Sequence, residues 1–205
     1  MLSQHASLTR SVDPTADPVL RSEIKHHLRV DASNIDDDGY IDSLTAAATA
    51  QLEHDADITI MAQTWQLRLD TFPTGNEVIK LDRPPVTSVT SVTYYDGDDA
   101  SQTLAASNYS VDTSTSPGRI KLTLNNTWPT TRSQRPAAVL VTFVAGFSTV
   151  PTAAAQAIKL LVSHWYDNRE SVAFNKSLPL TATERRLTQA YLSLSDQLRW
   201  RSPVA

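Results

Sequence analysis

The sequence predicts an α+β protein: a helical core of two N-terminal helices, one central helix and one C-terminal helix, with an inserted antiparallel β-rich region. Three observations carry this. Apolar residues recur at steps of 3 and 4 before residue 55 and again after residue 150; between about 58 and 146 the period falls to 2; and the strands there are joined by short turns. The composition supports a packed core, with 40% hydrophobic residues in 205.

The residues up to about 17 are rich in Ser, Thr, Asp and Pro and are expected to form a flexible arm. Asp17 followed by Pro18 marks the start of a first helix over 18–29, with Leu20, Ile24 and Leu28 on one face. A second helix is expected over 39–54, where Ile41, Leu44, Ala48 and Leu52 recur in an alanine-rich run. Trp65, Leu67 and Leu69 then alternate with Gln66, Arg68 and Asp70, as in a half-buried strand. Further strands are expected at 76–81, 88–95, 108–112, 119–124 and 138–145. The stretch AVLVTFVAGF is apolar on both faces, which predicts the most central strand. A third helix over 151–168 has Pro151 near its first position and an apolar stripe of Ala154, Ile158, Leu161, Val162 and Trp165. The last helix, 183–200, places Leu187, Tyr191, Leu194 and Leu198 on one side, a stripe that must be covered by the body or by another chain. The expected division is therefore an arm at 1–17, a body at 18–172 made of helices 18–29, 39–54 and 151–168 with a β-rich insertion at 58–146, and a C-terminal loop and helix at 173–205.

Several function classes are excluded or disfavoured. The chain has no cysteine, hence no disulfide, thiolate metal site or cysteine nucleophile. It lacks a run of 18 apolar residues for a membrane span, and MLSQHASLTR lacks the apolar stretch of a secretory leader, so the protein is expected to remain where it is made. None of the five histidines stands in a metal-ligating spacing, and no GxSxG, Walker or GxGxxG motif is present. A triad can be assembled on paper from Ser148, His164 and Asp167, but no spacing requires it; no catalytic residue, cofactor or metal is expected.

NIDDDGYIDSLT, residues 34–45, imitates a calcium-binding loop. Asn34, Asp36 and Asp38 stand at positions 1, 3 and 5 and Gly39 at position 6, but position 12 is Thr45 where a bidentate Glu is needed. The plainer reading is a group of carboxylates at a helix N-terminus, each favoured by roughly 0.3–1 kcal/mol. The alternative is a calcium-dependent protein-binding module using this loop.

Charge is uneven. Residues 32–112 hold 14 Asp/Glu against 3 Lys/Arg, whereas residues 152–205 hold 7 Lys/Arg against 4 Asp/Glu. An acidic body and a basic end favour head-to-tail contact between copies. In the tail, Arg185, Arg186, Tyr191, Arg199, Trp200 and Arg201 mix aromatic and cationic groups as protein-binding hot spots do, and the acidic belt upstream argues against close approach of a duplex.

Four stretches then carry a resemblance: IKHHLRVD (24–31) with an acidic loop and YIDSLTAAATAQLE (40–53); QTWQLRLDTFP (63–73); RPPVTSVTSVTYYD (83–96) with NYSVDTSTSPGRI (108–120); and VTFVAGFSTVPTAAAQAIKLLVSHWYDNRES (141–171). In this order they resemble the head-tail connector, or adaptor, proteins of tailed bacteriophages, over roughly 18–172. The resemblance implies a structural virion protein of the neck, assembled in the host cytoplasm, with about twelve copies in a ring beneath the portal. Such a ring extends the DNA channel, through which DNA passes without sequence-specific binding, and offers a platform to the next neck or tail protein, a stopper or tail terminator. It implies no catalysis and no membrane. The C-terminal segment is expected to reach the portal through Arg185, Arg186, Leu187, Tyr191, Leu194, Leu198, Arg199 and Trp200.

Overall fold

A computed structural model describes residues 6–75, 77–168 and 182–199. The chain divides into two compact units: a helical one drawn from Ala16–Ile60 and Thr149–Trp200, and a β unit built chiefly of Met61–Ser148 with the residues before Ala16. A β region inserted into a helical core is thus the architecture found.

The β unit holds eight strands: β1 (Ala6–Val12), β2 (Gln63–Leu69), β3 (Ile79–Leu81), β4 (Val86–Tyr95), β5 (Ser101–Thr103), β6 (Tyr109–Asp112), β7 (Gly118–Leu122) and β8 (Val139–Ala145). They form a five-stranded sheet in the order β1-β2-β8-β4-β5 and a three-stranded sheet in the order β3-β7-β6, with every pairing antiparallel. The apolar run at 138–145 is the middle strand, β8, as its composition predicts. Alternation sets the core: Trp65, Leu67 and Leu69 of β2 and Val139, Val141, Phe143 and Ala145 of β8 point to one side. Ile79, Leu81 and Ile120 of the smaller sheet join the same apolar cluster. Each large side chain buried there contributes roughly 1.5–3 kcal/mol relative to exposure. Gly146, with φ +116°, ends β8 where a Cβ would lie 2.2 Å from the Met61 carbonyl oxygen; only glycine fits.

Two expectations are corrected here. Residues 6–12 are not a loose arm but an edge strand, paired with β2 from Ala6 opposite Leu69 onward. Ala6, Leu8 and Val12 alternate with Ser7, Thr9 and Ser11, but Arg10 interrupts the apolar side and none of residues 7–12 is fully buried, so the period-2 signal is weak. The strand expected over 76–81 begins only at Ile79, and β5, exposed at all three positions, has no apolar pattern at all.

In the helical unit, α1 is Arg21–Leu28, α2 Asp38–Ala56, α3 Thr152–Asp167 and α4 Ala182–Leu198. α1 starts later than Asp17 and Pro18 suggest. Its N-cap is Leu20, extended and without a side-chain cap, because Val19 is drawn into the core and holds the preceding backbone out of the helix. On α2 the buried positions are Ile41, Thr45, Ala48, Leu52 and Ala56, a strict 3- and 4-residue stripe. Thr45 is tolerated inside because its hydroxyl donates to the Ile41 carbonyl at 2.8 Å. On α3, Ala154, Ala157, Ile158, Leu161 and Val162 are buried, while Trp165 is only half-buried. Among the described residues no helix is long and apolar enough to cross a membrane.

Candidate interaction surfaces

The acidic loop is organised by a cation from its own chain. Lys25, on α1, is 5% exposed, and its Nζ lies 2.5 Å from Asp38 Oδ1 and donates to the Asn34 carbonyl at 2.5 Å. Arg21, one turn earlier, bridges Asp38 at 3.1 Å and also pairs with Asp42. The helical spacing of Arg21 and Lys25 thus presents two positive charges to the start of α2. The Lys25 contact comes first among the causes that hold the Asp38 carboxyl below its usual range. Asn34, the supposed first calcium ligand, instead accepts the Asp36 N–H at 3.0 Å in a local turn. Thr45, the supposed last one, faces the helix core. The anticipated side-chain capping of the helix is absent too: Asp37 sits at the N-cap without a cap bond, and accepts the Tyr166 hydroxyl at 2.6 Å.

Other acids in the belt are also used by turns. Asp31 accepts from the Ser33 N–H and hydroxyl, Asp112 from those of Ser114, and Asp96 from the N–H groups of Asp98 and Ala100. Arg135 lies 3.5 Å from the Tyr95 ring centre and pairs with Asp99, clamping the β4–β5 turn. These carboxylates remain at the surface, but part of their hydrogen-bonding capacity is committed locally.

The described part of the apolar stripe of α4, from Tyr191 onward, is buried or half-buried. Tyr191 is 6% exposed and its hydroxyl donates to Asp55 Oδ2 at 2.6 Å, while Arg199 donates to the Asp55 carbonyl oxygen at 2.7 Å. Gln51 donates to both Asp55 carboxylate oxygens. Burial pushes the Asp55 carboxyl up, but these bonds and the nearby cations outweigh it and leave it below its usual range. Burial and then Asp55 raise the Tyr191 phenol above its ordinary value. Leu194 and Leu198 are half-buried and Ser195 is buried; Leu192, 50% exposed, is the large apolar side chain of α4 left open among the described residues. Of the eight expected docking residues, Tyr191, Leu194 and Leu198 therefore lie along α4, buried or half-buried, and Arg199 follows its last residue, exposed. The side chains of Arg185, Arg186, Leu187 and Trp200 lie outside the described residues.

The three residues of the paper triad are divided between the two units. Ser148 belongs to the β unit and His164 and Asp167 to the helical unit. His164 Nδ1 faces the Asn168 side-chain nitrogen at 3.3 Å, and the same amide donates to the His164 carbonyl at 2.7 Å, a bond that serves the end of α3.

One feature has no counterpart in the sequence reading: a cleft of about 400 Å³ in the β unit, lined by Thr71, Phe72, Pro73 and residues 126–131. Phe72 and Trp128 stack at 4.9 Å in its wall, and Phe72 also meets Tyr94 edge-on at 5.6 Å. The dipeptides Phe72-Pro73 and Trp128-Pro129 were its only trace in the sequence. Its described walls carry hydroxyl and amide groups but no carboxylate, imidazole or amine.

The fold, a helical core interrupted by a β insertion with an N-terminal strand at the sheet edge, is shared with solved chains of gene transfer agent particles. The chain in the neck of an empty gene transfer agent particle, determined with sixfold symmetry, superposes with a TM-score of 0.71 at 19% identity, covering 97% of each chain. The neck of the native particle, with twelvefold symmetry, gives 0.69 at 21% identity and the same coverage, and a chain in the native gene transfer agent virion gives 0.69 at 20% identity over 96% of this chain and 97% of the other. At that coverage the shared fold extends past 172, beyond the span of the sequence resemblance. No protein-family model and no curated protein matches the sequence.

Proposed function

We propose that this chain is a structural protein of a virion neck: a head-tail adaptor that forms a ring under the portal, extends the DNA channel and supports the next neck or tail protein. The single observation that carries this is the fold shared end to end with a chain in gene transfer agent necks of sixfold and twelvefold symmetry. Copies in a ring meet through two different patches, a heterologous interface, and the acidic body with its basic end suits that arrangement. An acidic lining would let phosphates slide past without sticking. No residue is assigned a catalytic role in this reading. Calcium-dependent binding gains no support, because the Lys25 ammonium already neutralises the loop where a dication would lie.

Portal docking is assigned to the C-terminal segment, with the outward side of α4, Leu192 first, as its described contribution. Removing everything after about Pro179 is not a clean test, since it would also uncover the surface against which Tyr191 packs. Leu192→Asp is cleaner: portal binding should weaken by at least tenfold while the melting temperature stays unchanged, and undiminished binding would move the docking site elsewhere. Electron microscopy of the protein mixed with its portal tests the whole reading. Rings seated on the portal are expected; a protein that stays solitary, or is missing from purified particles, overturns it.

A further inference from the structure

We infer that neighbouring copies are joined by edge-to-edge strand pairing, with β1 of one copy, still held by its own β2, laid against the uncovered half of β4 in the next. The inference rests on the ring reading and supplies its interface. Among the described residues, the five-stranded sheet ends in β1 on one side and in the short β5 on the other. On one side, β1 is paired with β2 and has no strand beyond it among the described residues. On the other, β5 covers β4 only from Thr93 to Tyr95, and the Leu104 N–H closes Val92 at 2.8 Å. Val86 is buried with its side chain against Gly118. What remains is a slot at residues 87–91, with Thr87, Ser88 and Thr90 exposed.

Three properties match the slot to β1 and not to an arbitrary peptide. The first is length: β1 pairs in regular register over residues 6–10 before its bulge, five residues facing a five-residue slot. The second is direction. Three successive antiparallel steps separate β1 from β4, so the two run oppositely, and a copy displaced sideways around a ring presents β1 antiparallel to β4, like every other pair in the sheet. The third is chemistry. Ser7, Thr9 and Ser11 on β1 and Thr87, Ser88 and Thr90 on β4 are small, uncharged and exposed. Solvent-facing edges are ordinarily guarded by lysine or inward charge; here Arg10 is the one charge on β1 and the slot has none. Each copy offers one strand and one slot, which propagates head to tail until the ring closes.

The absence of native cysteine makes the test direct. Bulges at Thr87 and Thr90 leave the exact register open, so Ser7→Cys or Thr9→Cys is combined with Ser88→Cys or Thr90→Cys in the full-length chain, all at exposed positions. Each double variant is oxidised with and without portal and viewed in parallel by electron microscopy. At least one pairing should give a ladder of covalent multimers extending to ring size, while each single variant stays monomeric on a denaturing gel. Rings without a ladder from any pairing overturn the edge-to-edge pairing and leave the adaptor reading standing. Covalent dimers from Thr9→Cys alone would mean β1 pairing with β1, which also overturns it. Neither rings nor multimers, even on the portal, would remove the adaptor reading together with this one.

Discussion

The two units are held together by different means. In the β unit the interior is an apolar cluster filled by alternate residues of β2 and β8, with aromatic rings stacked at one side. In the helical unit the apolar stripes of α2 and α3 are supplemented by polar ties: Lys25 holds the α1–α2 loop against Asp38 and Asn34, and Asp55 holds α4 through Tyr191 and Arg199. Apolar burial is indifferent to pH and weakly selective, whereas a carboxylate tie is directional and titrates. The helical unit should therefore be the one that responds to solution conditions.

The largest effect separating the units is expected from Phe143→Ala. Phe143 is completely buried in the middle strand, and its loss should cost about 3–5 kcal/mol, read as a lower urea midpoint. Lys25→Met should come next, at about 2–3 kcal/mol, because methionine fills the space but abandons two backbone carbonyls and an acid. If K25M is neutral, the polar account of the helical unit fails. Tyr191→Phe keeps the packing and removes only the bond to Asp55, an expected loss of about 1–2 kcal/mol accompanied by faster hydrogen exchange in α4 and not in β8.

pH sharpens the contrast further. The Asp38 and Asp55 carboxyls lie below their usual range in the fold, so their contribution is complete above the unfolded value near about 4 and is lost as pH falls through the lowered folded values. Tyr191 has the opposite sign: its contribution is complete below the unfolded value near about 10 and fades as pH rises beyond it toward the raised folded value. Amide protection of α4 should therefore drop at both extremes, and equal loss in β8 at the same pH would break the comparison. The smallest effect is expected from Leu124→Ser in the β unit. That side chain is 89% exposed, and its replacement should shift stability by less than about 0.5 kcal/mol.

Legibility in the sequence followed the same division. Where a residue's partners are near in sequence or a whole face is buried, the pattern was readable: the stripes of α2 and α3, the alternation in β2 and the central place of β8. β1 was not, because its pairing spans more than 50 residues and its short alternation of Ala6, Leu8 and Val12 with polar residues is broken by Arg10 in a segment rich in Ser and Thr. The start of α1 was misplaced because Asp17 and Pro18 offer a good local cap that the burial of Val19 overrides. The site fared similarly. The mimicry of a calcium loop at 34–45 was visible, and so was its missing twelfth ligand, but nothing in the spacing said that Lys25 would stand in for the cation. The stripe on α4 was visible too, and the sequence left open whether its own unit or another chain would cover it.

Lys25 has one more consequence. A loop whose counter-charge is tethered to the backbone is complete as soon as the helices dock, with no metal ion to be captured first, over the whole pH range in which Asp38 stays ionised. Within that range the local shape is a property of the polypeptide alone, fixed by residues 25 to 38 of the same chain.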